Sequence, residues 1–220
     1  METNAKYESY VVSVILTLFN SRKTYNRALT SLMNQTFKEY ELVIVDDGST
    51  DGTESELFPA LKLNNNFKYI RHSNRKHPLS LNTGIINSTG KYITFLDSDD
   101  EYKSGHLKER AELMNSNPEI DLLHSPATIL GEEKDMFVPD AKDPTKLIHL
   151  KDCIIGGTFF GRRKVFEELH GFRNVYSHDS DFFERAKEKF NVLKFDSPSY
   201  VYFRNNPDSV INKMKKEVST

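Results

Sequence analysis

Four apolar runs, each followed by a polar turn and three of them by helical periodicity, constrain this chain more than any other feature of it. Residues 11–18 form an almost unbroken apolar run rich in β-branched side chains, as expected of a strand covered on both faces. Tyr25, Ala28, Leu29, Leu32 and Met33 follow at relative spacings 0, 3, 4, 7 and 8, one face of an amphipathic helix. Residues 41–45 read as a second strand. A helix is expected from Thr53, where Thr53 and Glu56 have capping-box spacing and Pro59 predicts a short or kinked helix. Residues 67–71, 79–87 and 92–96 read as strand, weakly patterned helix and strand. Strand and helix alternating in this way, with apolar strands, predict an α/β fold built on a mostly parallel sheet with helices on both faces.

Beyond residue 100 the pattern loosens. Leu107, Ala111 and Met114 mark a helix that Ser104 is placed to cap, ending before Asn117-Pro118. Residues 120–124 are strand-like. Residues 131–151 carry Pro139 and Pro144 without a clear period, and read as a long loop of the kind that serves as a lid. A short helix through Val165, Phe166 and Leu169 stops at Gly171. Asp179, Phe182, Phe183, Ala186 and Phe190 then lie at 0, 3, 4, 7 and 11, which puts Asp179 on the inward face at a helix start and turns Asp181 toward solvent. Residues 192–195 and 200–204 read as strands, and the lysine-bearing tail from Asn212 as frayed.

In open parallel sheets ligands bind outside the carboxyl ends of the strands. Three polar clusters fall there: Thr17 with Asn20, Asp46-Asp47, and Asp97-Ser98-Asp99. Asp97 and Asp99 are two apart and share a side if the backbone stays extended. A carboxylate pair at that place suits Mg²⁺ or Mn²⁺, which takes one or two protein carboxylates and fills its other positions with water and substrate phosphates. A polar turn at a strand end has the same composition, and a simple helix cap is the commoner role of a single Asp placed as Asp179 is.

Other chemistries are poorly served. Thirty basic against thirty-two acidic residues give a net charge of −2, with no basic excess for nucleic acid. A single cysteine, Cys153, excludes an internal disulfide and a cysteine-based zinc site. No run approaches the roughly 18 apolar residues of a membrane span, and Met1 to Ser9 lacks an apolar signal core, so a cytoplasmic protein is expected. Gly84 to Gly90-Lys91 has the wrong spacing for a P-loop, and no G-x-G-x-x-G follows the first strand. The histidines include no H-E-x-x-H, and neither Gly161 nor Ser125 has a nucleophile-elbow context.

Taken together the segments resemble family 2 glycosyltransferases with the GT-A (nucleotide-diphospho-sugar transferase) fold. The resemblance rests on Val12 through Asn20, on Leu42 through Thr53 with its Asp46-Asp47-Gly48-Ser49-Thr50-Asp51, on Gly90 through Asp100, on His178-Asp179 before Phe182-Phe183, and on Ser31 through Thr36. It covers residues 11–209, nearly the whole chain. It implies one domain over residues 1–220, with residues 1–100 binding the nucleotide-sugar, 101–210 binding the acceptor and 211–220 a flexible tail. Thr17 and Phe19 would border the base, and Asp47 would accept from uracil N–H. Asp97-Ser98-Asp99 would be the D-x-D motif, with Asp99 as metal ligand and Asp97 serving ribose or metal. Asp179 would be the general base of an inverting transfer from a UDP-sugar to a glycan or lipid-linked hydroxyl, assisted by Mn²⁺ or Mg²⁺, with at most peripheral contact at the inner membrane face. Two positions depart from the pattern: Leu81 stands where an Arg is common, and Asn206 where a His is common. A non-catalytic nucleotide-binding or scaffold protein of this fold and a sugar nucleotidyltransferase are the rival readings. A nucleotidyltransferase would carry a Gly-rich first loop, where this chain has Thr17-Leu18-Phe19-Asn20. A phosphohydrolase would carry its D-x-D after the first strand rather than the fourth.

Overall fold

A computed structural model describes residues 10–140, 143 and 145–204. The elements run β1 Val12–Leu18, α1 Tyr25–Met33, β2 Tyr40–Asp46, α2 Thr53–Leu63, β3 Phe67–Arg71, α3 His77–Asn87, β4 Tyr92–Asp97, β5 Glu101–Tyr102 and α4 His106–Ser116. They continue as β6 Leu122–His124, β7 Thr128–Leu130, β8 Phe137–Pro139, β9 Leu147–His149, β10 Phe160–Arg162, α5 Arg163–Glu168, α6 His178–Lys189, β11 Val192–Lys194 and β12 Tyr200–Phe203.

The expected sheet forms. Seven strands lie in the order β11-β6-β10-β4-β1-β2-β3, parallel except for β10, which runs antiparallel to both β4 and β6. Alternation divides the side chains of β1 between the two faces. Val12, Val14, Leu16 and Leu18 pack with α1, Leu57 of α2 and the apolar side of α4. Ile15, with Ile93 and Phe95 of β4, packs with Leu81 and Ile85 of α3, with α5, and with Phe182, Phe183 and Ala186 of α6. Two cores thus sandwich one sheet. Gly84 permits the tight contact between α3 and β1, since a Cβ there would lie 2.3 Å from Ile15 Cγ2.

Beyond β4 the strands are short and locally arranged. Strands β5, β12 and β7 make a separate three-stranded sheet, and β8 and β9 pair antiparallel. That hairpin corrects the structureless loop expected over residues 131–151: with strands of only three residues, no alternation is long enough to read. Two expected caps also fail to form. Glu56 pairs with Arg22 at 2.6 Å instead of closing on Thr53, whose N–H and hydroxyl bond Asp51. Ser104 makes no side-chain cap to α4; its carbonyl accepts from the Thr36 N–H. Asp181 is half-buried rather than turned to solvent, because Arg185 holds it at 2.9 Å and Arg173 at 3.2 Å. Pro59 lies inside α2, which still runs for eleven residues. Asn206 and the lysines from Lys213 lie outside the described residues. Among the described residues no helix is long and apolar enough to cross a membrane.

Candidate nucleotide-sugar site

The parallel ladder places the strand-end residues side by side. Thr17 is registered with Asp97 of β4 and with Val45 of β2, and Leu18 with Asp46. By the same alternation that separates the cores, Thr17 and Asp97 belong to the face carrying Ile15, Ile93 and Phe95, the α3 and α6 side. Phe19, just past the edge, is 49% exposed. Its loop is tied to the next strand end, because Asn20 N–H donates to Ser49 Oγ at 2.9 Å and Asn20 Oδ1 accepts from Thr50 N–H at 2.9 Å.

The neighbouring carboxylates Asp46 and Asp47 divide the work. Asp46 is fully buried and accepts from Ser49 N–H and the Tyr69 hydroxyl, both at 2.7 Å, so it holds the turn. Asp47 reaches the other way. It accepts from Arg75 N–H at 2.7 Å and Lys76 N–H at 3.1 Å, with His72 Nδ1 at 3.3 Å. Its carboxylate therefore braces the segment that leads into α3.

Asp97 and Asp99 do not share an extended backbone. Strand β4 ends at Asp97 and the chain turns at once, so the extended backbone on which the same-side expectation depends stops at Asp97. The turn is bolted in place from several directions. Ser98 Oγ meets Ser21 Oγ at 2.8 Å. Arg27 of α1 donates to the Asp99 carbonyl, and its guanidinium lies 3.5 Å over the Phe203 ring. The buried Asp100 accepts from the Tyr200 hydroxyl at 2.6 Å and Phe203 N–H at 2.8 Å. Burial, reinforced by the charges of Asp97 and Asp99, holds the Asp100 carboxyl well above its usual range.

Asp97 keeps about a third of its side chain accessible and contacts His77 Nε2 at 3.1 Å. His77, the first residue of α3, went unnoticed in the sequence, where nothing local distinguishes it. Burial would raise the Asp97 carboxyl, but the His77 hydrogen bond and charge, with His178 and Tyr200, hold it below its ordinary value. Burial would likewise lower His77, yet Asp97, Asp179 and Asp99 hold it above. The His178 ring meets His77 edge-on at 5.2 Å, and burial with the His77 charge pushes His178 down.

Asp179 sits in the first turn of α6, a position the helix dipole favours for a carboxylate. The start of that helix is fixed by Phe182, fully buried against Phe159, Phe166 and Phe172, a burial that stabilises by roughly 1.5–3 kcal/mol. Asp179 accepts from Ser180 N–H at 2.9 Å and more loosely from Ser177 Oγ at 3.3 Å and Gly156 N–H at 3.4 Å. Leu81 is buried in the α3-side core and contributes packing there. Burial, then Asp179 and its acidic neighbours, pushes the Cys153 thiol up to about 11, which disfavours the thiolate.

Residues 13–209 match the family described as glycosyl transferase family 2. The chain belongs to that family. This family 2 chain is 35% identical over 204 residues to the Campylobacter jejuni GalNAc(5)-diNAcBac-PP-undecaprenol beta-1,3-glucosyltransferase, across 84% of its own length and 66% of that protein. It is 35% identical over 165 residues to the Streptococcus pneumoniae glycosyltransferase GlyA, across 75% of its length and 21% of that protein. It spans less than two thirds of either relative. Its fold is that of Staphylococcus aureus TarS, solved with UDP (TM-score 0.71, 23% identity, 89% of this chain and 61% of that one). It is also that of the Pyrobaculum calidifontis mannosyltransferase PcManGT, solved with GDP-Man and Mn²⁺ (TM-score 0.70, 18% identity, 94% and 61%). The mixed sheet with helices on both faces is thus the GT-A architecture.

Proposed function

We propose that this protein is an inverting glycosyltransferase that moves a sugar from a UDP-sugar to a hydroxyl of a glycan or lipid-linked acceptor. The observation that carries the reading is the gathering of Thr17, Asp47 and Asp97 along one sheet edge, next to the histidine pair that leads to Asp179, in a family 2 chain. Residues 10–100 form the donor half and residues 101–204 the acceptor half. Phe19, exposed at the edge, provides a face for the base to stack on, with Thr17 beside it. Asp47 retains lone pairs beyond its backbone partners with which to accept from a uracil N–H. The UDP and UDP-GlcNAc complexes of TarS support a uridine donor. The undecaprenol-linked substrate in the Campylobacter relative's name supports a lipid-linked acceptor, which would draw the protein to the cytoplasmic membrane face.

The oxygen-only donor set of Asp97 and Asp99 fits Mg²⁺ or Mn²⁺, because such an ion needs only one or two carboxylates besides water and phosphate. Among the described residues no cluster of three or more metal-ligating side chains exists, so the remaining positions would fall to the donor itself. Bound there, the cation would supply Lewis-acid stabilisation of the leaving diphosphate. The chain supplies the rest. Asp179 takes the proton of the acceptor hydroxyl as its oxygen bonds the anomeric carbon and the bond to the nucleoside diphosphate breaks. Attack opposite the leaving group inverts the anomeric centre.

A panel of nucleotide-sugars with lipid-linked and simple glycoside acceptors tests this. Asp179→Asn is expected to lower kcat by about 10²–10⁴ while UDP affinity by calorimetry stays within twofold. Wild-type transfer rates in that variant would refute the base assignment, and an anomer retained by NMR would refute inversion.

A further inference from the structure

We infer that His77 is a donor-binding residue whose imidazole N–H contacts a phosphate oxygen of the nucleoside diphosphate. The inference rests on the donor site proposed above and adds to it a residue that the D-x-D reading does not contain. His77 starts α3, directly after the segment that Asp47 braces through the Arg75 and Lys76 N–H groups. It therefore stands between two carboxylates of the donor edge. Its Nε2 lies 3.1 Å from Asp97 Oδ1, and 37% of its side chain remains accessible. The His178 ring packs edge-on against it at 5.2 Å, and Phe172 in turn packs against His178 at 5.7 Å.

The surroundings make the role a specific one. The charges of Asp97, Asp99 and Asp179 all bear on His77, so a diphosphate bound beside it meets carboxylates. An anion is stabilised there by hydrogen-bond donors, and an imidazole offers an N–H whether or not it is protonated. The His77–Asp97 contact holds the ring where it can exchange its partner for a phosphate oxygen, or share the N–H between both. The start of an eleven-residue helix adds a favourable field for an anion at the same place. Leu81, one turn further along α3, is buried in the core, whereas His77 keeps 37% of its side chain accessible.

The test is calorimetric binding of UDP, GDP and uridine, each with Mn²⁺ and again in EDTA, to wild type, His77→Ala and His77→Gln, with melting curves checking the fold. A hydrogen bond to a charged group predicts UDP affinity lowered about tenfold to a hundredfold in His77→Ala. Uridine affinity should be unchanged, the loss should persist in EDTA, and His77→Gln, which keeps an N–H donor, should recover part of it. Equal losses for UDP and uridine would show that His77 only supports the base pocket. Unchanged UDP affinity would show that it touches no phosphate. Both overturn the inference while leaving the glycosyltransferase reading in place. Failure of the wild type to bind UDP or GDP at all would remove the donor site itself, and His77's role with it.

Discussion

Between residues 12 and 97 the sheet carries its own register. Strand β1 pairs with β2 over seven positions and with β4 over six, and Thr17, Asp47 and Asp97, the residues proposed for the donor site, fall at the strand ends the ladder aligns. From residue 101 onward the strands are two to four residues long, and side chains take over that duty. Arg110 is fully buried and bonds Ser125, Ser199, and the His106 and Ser197 carbonyls. Tyr200 and Phe203 clasp Asp100, and Asn82 reaches from α3 to both sides of the Phe172 peptide. The first half is held by backbone and the second by brackets. Damage to the first should therefore register as lost stability, and damage to the second as lost geometry at the site.

The largest expected effect is on the ladder itself. Glu41 is a fully buried carboxylate inside β2, accepting from Ser13 Oγ at 2.6 Å, Gly90 N–H at 3.2 Å and the Thr89 N–H and hydroxyl, with Lys68 Nζ at 2.7 Å. It staples β1 and β2 to the turn that starts β4. Glu41→Ala removes the charged acceptor from the buried Ser13 hydroxyl and Gly90 N–H and the partner of Thr89 and Lys68 at the surface, and should cost about 3–5 kcal/mol in urea denaturation. Burial would raise its pKa, but Lys68, Ser13 and Thr89 hold it below the ordinary glutamate range. The stabilisation is thus complete above the unfolded-state pKa and is lost as pH falls through the lower folded value. Glu41→Gln should flatten that acid-side decline. An unchanged acid limb in Glu41→Gln would mean that other carboxylates dominate it.

A smaller effect on stability, but a sharper one on geometry, is expected at Gly157. A Cβ there would lie 2.4–2.5 Å from the Tyr200 ring and hydroxyl. Gly157→Ala must displace Tyr200, which donates to Asp100 and lies 3.4 Å from Asp97. Overpacking of this kind costs about 1–3 kcal/mol. UDP affinity should fall with it, even though Gly157 lies outside the donor half. If stability falls and UDP affinity does not, the bracket is not what positions Asp97.

The same division decides what could be read from the amino acids alone. Strands β1, β2 and β4 are visible as near-continuous apolar runs buried on both faces and helix α1 by its period, and the polar strand ends mark the sheet edge at which the site is proposed. The placement of Thr17, Asp47 and Asp97 at one sheet edge is legible for that reason. The β8–β9 hairpin and the two- and three-residue strands β5 and β7 are not, since so short a run carries no period and its stability is tertiary, whereas β12 falls within the strand read over residues 200–204. Local rules misled where a distant partner competed: Arg22 draws Glu56 away from its box, and Arg185 with Arg173 draws Asp181 in from solvent. Arg110 gives no sign that its guanidinium will be buried among hydroxyls and carbonyls. His77 illustrates the same limit, because its significance arises only from α3 meeting the end of β4. Its pairing with Asp97 spans twenty positions of sequence.

The smallest expected effect is a gain in stability, and it tests whether the donor half is as relaxed as its ladder suggests. Lys76 adopts φ 81°, ψ 150°, a region essentially reserved for glycine and costing other residues about 1–3 kcal/mol. Asp47 holds it there through the Lys76 N–H, and the Lys76 carbonyl accepts from the Leu79 and Ser80 N–H groups as α3 begins. Lys76→Gly removes the side-chain clash and adds about 0.5–1 kcal/mol of unfolded-state entropy to be overcome. The net expectation is a stabilisation of about 1 kcal/mol, read as a higher denaturation midpoint with unchanged m-value. The strain keeps a cationic side chain, exposed and with no ion-pair partner among the described residues, on the segment that Asp47 braces beside His77. If that placement serves the donor, the more stable variant should bind UDP less tightly than wild type and bind uridine equally well. A variant that is both more stable and undiminished in UDP affinity would make the strain at Lys76 a by-product of the Asp47 clamp, and would leave His77 as the contact to the phosphates from that turn.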